Sequence, residues 1–407
     1  MQCRWDHINR DFSALTEVQA LMLDGHFMME HAGRNRSDRF FNFNGTAGIW
    51  RRAAIADAGG WQHDTLTEDM DLSYRAQLRG WRFVYLPEIA APAELPVEMS
   101  AFKSQQFRWA KGSIQVALKL LPTILRSKSA TFSQKSEAFF HLTNNLAYPL
   151  LLLLSILLLP NLALRPHHGW REVLMIDLPL FFGTTLSIAS FYLASQREIA
   201  LLRDPDGRLR VQWWVIKRLP LVMSIGIGLC VNQTRAVLEA MFGRETEFVR
   251  TPKHGIRGRL ELWSSKKYRS AKSITPFIEL AMAAYFAVAM AVAAQHGHYL
   301  SMPFLGLFLY GFGYVGGVSL WQGGLGVALR RLVTRLVPGH SSIPVAVAGA
   351  VPGAVPVPGV VPVLPPPAFA VLGSNLAGIG DGVGRGAADR GARVTTSPAS
   401  RVPTALS

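Results

Sequence analysis

Charge and sulfur are both scarce in this 407-residue chain. Asp, Glu, Lys and Arg make up only 17% of it against 49% hydrophobic residues, which is not the composition of a water-soluble globule. Two cysteines, Cys3 and Cys230, exclude a disulfide framework, and neither stands at a metal-ligand spacing. Acidic residues are outnumbered 27 to 42 by Lys and Arg, a net charge of +15. In a soluble protein such a surplus would suit nucleic acid. Here the basic residues flank apolar runs, so the surplus reads as the positive-inside pattern with attraction to anionic lipid, and nucleic acid is not expected as a partner. Met1–Arg10 is polar and mixed, without the apolar run of a signal peptide. The last 85 residues, from Gly323, contain no Lys, Glu, Trp, Tyr, Met or Cys, yet hold 11 of the 24 prolines. Such a stretch cannot build a packed core. It reads as a disordered low-complexity tail or, the preferred expectation, as a frame shift near Gly323, because GC-rich codons read out of frame give this mixture.

What is present falls into three parts. Residues 1–128 read as part of an α/β domain. An amphipathic helix is predicted over Ala14–His31, a short one over Ile49–Asp57 stopped by Gly59-Gly60, and another over Asp69–Arg79 closed by Gly80. Trp81–Leu86 is predicted as a strand ended by Pro87, and Met99–Leu121 as a long helix. Residues 129–322 are helical and apolar, with membrane spans expected at about 142–164, 173–194, 274–294 and 299–321. The apolar part of 211–241 is short and flanked by Trp213-Trp214 and Lys217-Arg218, so it reads as an interfacial or re-entrant helix. Arg and Lys crowd the loops at 196–210 and 243–273, which places both on the cytoplasmic side with residues 1–140. Residues 323–407 are the tail.

Three polar motifs precede the spans in order: Phe43-Asn44-Gly45-Thr46, Thr67-Glu68-Asp69 and Gln105-Gln106-Phe107-Arg108-Trp109. A carboxylate at a helix N-terminus is held ionised by free N–H groups and the helix dipole, which suits Asp69 to removing a proton. Read alone, Thr67-Glu68-Asp69 is first an ordinary helix cap. Gln105, Arg108 and Trp109 share one helix face by their spacing. An Arg fork can hold a pyrophosphate, and an indole face can stack a sugar ring. The bland alternative puts Trp109 in the core and Arg108 in a salt bridge. Gly45 allows a ligand to approach backbone closely, or simply makes a turn. Phe248-Val249-Arg250-Thr251-Pro252-Lys253 reads as a basic interfacial loop.

The motifs, their order and their place before spanning helices resemble family-2 glycosyltransferases, in particular the membrane-embedded processive β-glycan synthases. Gly59-Gly60-Trp61, Glu94-Leu95-Pro96 and Gln105–Gly112 look most like the glucomannan 4-β-mannosyltransferase branch of the cellulose-synthase-like enzymes. The resemblance covers roughly residues 1–322. It implies the C-terminal part of a GT-A-like domain, with Asp69 as general base beside Glu68 and Thr67. It gives Gln105, Arg108 and Trp109 the donor pyrophosphate and the acceptor's terminal sugar, and Asn44, Gly45 and Thr46 an acceptor loop. Residues 248–253 resemble a gating loop over the donor, through Thr251 and Lys253, although Arg250 departs from that pattern. The implied reaction is inverting, processive transfer of a hexose from GDP-mannose or UDP-glucose to a β-linked polysaccharide in the cell membrane; accessory export proteins are left open. Alternatives are a non-catalytic membrane fragment or scaffold, or a non-processive transferase to a lipid-linked acceptor. A divalent cation, Mg or Mn, is expected with the family. The Asp-x-Asp that holds it does not precede the motifs here, so the expectation is an N-terminally truncated chain with an incomplete domain and no turnover of its own.

Overall fold

A computed structural model describes residues 1–164, 174–175, 178–203, 213–248, 250–256 and 273–325. The expected tail beyond 325 and much of the basic loop at 257–272 lie outside the described residues. So do Val249, the link at 165–173 and the start of the second expected span.

Helices dominate. In chain order they are α1 (Ala14–Gly25), α2 (Ala32–Arg36), α3 (Arg52–Asp57), α4 (Glu68–Leu78), α5 (Met99–Arg126), α6 (Phe132–Thr143) and α7 (Ala147–Leu164). They continue as α8 (Leu178–Arg203), α9 (Trp213–Gly228), α10 (Cys230–Met241), α11 (Thr275–Gln295) and α12 (Met302–Leu320). The α/β expectation reduces, among the described residues, to one parallel pair, β1 (Gln2–His7) with β2 (Tyr85–Ala93). Two details correct the sequence reading. The polar N-terminus is a strand, and the second strand starts at Tyr85 and runs through Pro87 instead of ending there. Cys3 pairs with Leu86 but Arg4 with Ala90, so Pro87 falls in a bulge where its missing N–H costs no ladder bond. Its carbonyl accepts from Arg4 Nε at 3.0 Å instead.

The predicted Ala14–His31 helix forms, capped reciprocally by Ser13 and Thr16, but it changes character at its end: His26–His31 is a π-helical turn. Gly59, Gly60 and Gly80 all take positive φ where the short helices stop. Helix α5 is the spine. Its first turn joins α1, α9 and α12 in one core through Met99 and Phe102, and its later turns join α4 and α6 through Val116, Leu120 and Ile124.

Among the described residues three stretches are long and apolar enough to cross a membrane: Phe132–Leu164, Thr275–Gln295 and Tyr299–Gly323. On α7, Leu150, Leu153, Leu154, Ile156 and Leu157 are exposed, an apolar face that water would not solvate favourably and lipid would. From Trp213 to Met241 the expected interfacial segment is a pair of helices, α9 and α10, bent by 40° at Leu229. Helix α9 lies against α12 so closely that a Cβ on Gly311 would stand 2.2 Å from the Ser224 carbonyl oxygen.

Candidate active site

The three motifs meet around one cavity of about 460 Å³. Thr67, Glu68 and Asp69 line it from the head of α4, Gln105, Arg108 and Trp109 from one face of α5, and Asn44 from the loop. Thr67 occupies the cap position of α4, but its side chain makes no capping bond, so the ordinary-cap reading does not describe it. It packs instead against α5: a Cβ on Gly112 would come within 2.5 Å of both Thr67 Oγ1 and Cγ2. The glycine in Ala110-Lys111-Gly112 is therefore what lets the two motif-bearing helices close on each other.

Asp69 accepts the Met70 N–H at 2.8 Å. Its carboxyl is not held low, as its helix-terminal place suggested. Burial pushes it up to about 7; the Met70 bond opposes this, and the neighbouring Glu68 charge adds to it. Desolvation outweighs the helix N-terminus because only short-range N–H contact is available to offset it. Gly45, at φ 68°, sits directly over this carboxylate, and a Cβ there would be 3.1 Å from Asp69 Oδ2. Thr46 is exposed and outside the cavity lining; its carbonyl accepts from Gln2 Nε2 at 3.0 Å.

Arg108 is in no salt bridge among the described residues; its Nη2 donates to Thr251 Oγ1 at 2.6 Å, and its guanidinium lies 4.6 Å from the Phe248 ring centre. Its Nε is buried without a partner among the described residues. The 248–253 loop thus rests on the motif arginine, while Lys253 is exposed away from the cavity. Trp109 is half-buried, 6.3 Å from Trp5 by ring centres. Beyond them the cavity runs on to Tyr148 of α7, Tyr192 of α8 and Gln233 of α10.

Residues 2–202 match the family described as "Glycosyl transferase family group 2". Over 336 residues the chain is 32% identical to Glucomannan 4-beta-mannosyltransferase 2 of Arabidopsis thaliana, covering 78% of this chain and 58% of that protein. It is 31% identical over 335 residues to Glucomannan 4-beta-mannosyltransferase 1 of Oryza sativa subsp. japonica, covering 78% and 59%. Over a shorter 140 residues it is 42% identical to Probable glucomannan 4-beta-mannosyltransferase 11 of the same rice, 34% of this chain and 25% of that protein.

Residues 2–202 belong to the group 2 glycosyl transferases. The chain spans somewhat more than half the length of these curated relatives.

Several residues that hold this site together have partners that no local signal in the sequence predicts. The Glu94 carboxylate accepts three successive backbone N–H groups, from His254 (2.9 Å), Gly255 (3.0 Å) and Ile256 (3.2 Å), and so anchors the end of the loop that reaches Arg108. Lys103, two residues before Gln105, is paired with Glu279 of α11 at 2.6 Å, both side chains buried. Lys111 reaches Glu239 of α10 at 3.1 Å and also bonds Thr246. Partners this far apart in sequence are fixed only by the fold. Family members generally use divalent cations. Among the described residues no three His, Cys, Asp or Glu side chains converge as metal ligands, so these residues do not by themselves fit such an ion.

Proposed function

We propose that this chain takes part in inverting transfer of a hexose from a nucleotide-sugar to the growing end of a β-linked polysaccharide. The observation that supports this most is the shared cavity. Asp69, Arg108 and Trp109 line one space that continues among membrane-region side chains, so a terminal sugar stacked on Trp109 would present its hydroxyl to a base. In the step proposed, that hydroxyl oxygen bonds to the donor's anomeric carbon while the carbon–oxygen bond to the diphosphate breaks. The bonding pair leaves with the nucleoside diphosphate, beside the Arg108 guanidinium, and the hydroxyl proton passes to an Asp69 carboxylate oxygen. Mannosyl from GDP-mannose is the first choice of donor, because the relatives are named mannosyltransferases; glucosyl from UDP-glucose is the second. Continuation of the cavity toward α7, α8 and α10 supports a processive enzyme, whose product moves on one unit per cycle.

The test is incorporation of radiolabelled donor into polymer, with magnesium or manganese present, in any preparation that supports it. Asp69→Asn keeps the size and removes the base, so kcat should fall about 100-fold or more, with donor KM little changed. Near-parental turnover in the variant would reduce Asp69 to a structural residue.

The membrane is the cell membrane in this reading, with α8 as a fourth crossing and residues 1–140 cytoplasmic. In a cysteine-free background, Arg244→Cys and His296→Cys should then react with an impermeant thiol reagent from opposite sides. Labelling of both from the outside would sink the topology.

A further inference from the structure

Along α4 the base has two uncharged companions. Asp69, Ser73 and Gln77 recur every fourth residue and so form a stripe on one helix face. The segment that leads into the Asn44-Gly45 loop runs beside this stripe in the opposite direction. The Gln77 amide accepts the Phe41 N–H at 2.8 Å and donates to the Phe41 carbonyl at 2.6 Å, as a neighbouring strand would. The Ser73 hydroxyl accepts the Phe43 N–H at 2.8 Å and donates to the Asp69 carbonyl at 2.5 Å. A serine inside a helix ordinarily bonds only back to its own helix; this one, fully buried, also holds a second stretch of chain. Next in both series come Gly45 and Asp69, the pair in which a Cβ would stand 3.1 Å from the carboxylate. Four residues of helix advance about 6 Å and two residues of extended chain about 6.6 Å, so the two series stay in step. Beyond Gly45 the loop is secured by buried Gln2, which accepts the Asn44 N–H at 3.1 Å and donates to the Thr46 and Ala47 carbonyls at 3.0 and 3.2 Å.

Resting on the reading of Asp69 as the base, we propose that Ser73 and Gln77 are positioning residues: they set the register of segment 41–45 on α4 and so hold the Gly45 backbone as a lid over the carboxylate. A slip of one residue would bring Asn44 or Thr46 to a place that suits only a glycine at φ 68°. The lid keeps water from the carboxyl. Burial is the largest cause of its rise to about 7, opposed by the Met70 N–H and reinforced by Glu68. The other titratable groups around the cavity do not enter that balance: Arg108 of α5, His141 of α6, and His26 and Glu30 of the π-helical turn, which pair with each other at 2.8 Å.

Infrared titration of the purified, detergent-solubilised chain reads the base directly, each variant being compared with the same variant carrying Asp69→Asn. Wild type should titrate with a midpoint of about 7. Ser73→Ala releases the Phe43 N–H, and Gln77→Met, of similar length, releases both Phe41 groups. Water should then reach the carboxyl, and each midpoint should fall by about one unit, tenfold in proton affinity, with a larger fall in the double variant. Asn9→Ala is the control. It breaks a clamp of the same two-point kind, to the Leu95 carbonyl at 2.9 Å and N–H at 2.8 Å, and should lower the unfolding temperature at least as much while leaving the midpoint alone. Gln77 is only half-buried, so Gln77→Met keeps the test open if Ser73→Ala does not fold. A midpoint that stays at the wild-type value in the folded variants, or that moves equally in Asn9→Ala, overturns the positioning role. A wild-type midpoint near 4 overturns the lid and the role with it. None of these results touches the transfer reading, which stands or falls on turnover by Asp69→Asn.

Discussion

Two close approaches in the protein differ in what they press together. At the site wall, Gly112 of α5 brings α4 in until a motif side chain, Thr67, touches the neighbouring helix. In the membrane region, Gly228 and Gly311 bring backbone to backbone, a Cβ on Gly228 falling 2.3 Å from the Gly311 carbonyl oxygen. Helices in lipid gain nothing from hiding apolar side chains from one another, so their contact must come from closeness itself. The site wall has polar bonds to hold it, and its glycine serves placement: it sets the distance between the two motifs. Helix α5 belongs to both regions, and where it crosses between them the contact is ionic, Lys103 with Glu279 and Lys111 with Glu239.

The comparison can be broken in three places. The largest effect is expected at the ionic joint. Glu279→Ala leaves Lys103 buried with only Thr275 Oγ1, at 2.9 Å, as a side-chain partner among the described residues, and the unfolding free energy in detergent should fall by about 3–5 kcal/mol. The paired change Lys103→Met with Glu279→Leu should recover most of that, and failure to recover would mean the charges carry more than mutual neutralisation. Next come the glycines. Gly311→Ala forces two backbones apart at a cost of about 1–3 kcal/mol and should leave the titration of Asp69 alone. Gly112→Ala meets a short side chain, so it should cost no more in stability yet disturb Asp69. If Gly311→Ala moved Asp69 and Gly112→Ala did not, the assignment of the two contacts would be reversed.

The third place is the titration itself. The infrared difference between wild type and Asp69→Asn should show a protonated carboxyl at pH 6 that disappears with a midpoint of about 7. Between 3.8 and about 7 the native protein keeps a proton that the unfolded chain releases. Stability from this group therefore declines as pH rises through that window, while the basic form needed for transfer grows. A midpoint near 4 would restore the helix-terminus picture.

How much of this was readable in the chain follows from how local each signal is. The long helices announced themselves through apolar runs, and the alignment of Gln105, Arg108 and Trp109 follows from spacing on a single helix. That Asp69 shares their cavity does not follow from spacing; it depends on Gly112 and on the Gly45 turn. The strand at Tyr85–Ala93 is shifted from its expected place because proline ordinarily ends a strand, and only the partner strand shows that Pro87 sits in a bulge. The partners of Glu94 and of Lys103, and the His26–Glu30 pair, are not legible in the sequence. The first two find partners about 160 and 176 positions away, and the third depends on a change of helical pitch that no residue type signals.

The Glu94 anchor sets the mechanics of the loop above Arg108. With residues 254–256 fixed by three hydrogen bonds, Thr251 hangs on an arm only three residues long. An extended arm of that length reaches about 10 Å, so from this pivot the threonine can flick on and off the arginine but cannot travel the width of the protein. A hinge so close to its tip makes the stroke short, and nearly all of the positional error in the loop is then set by one carboxylate.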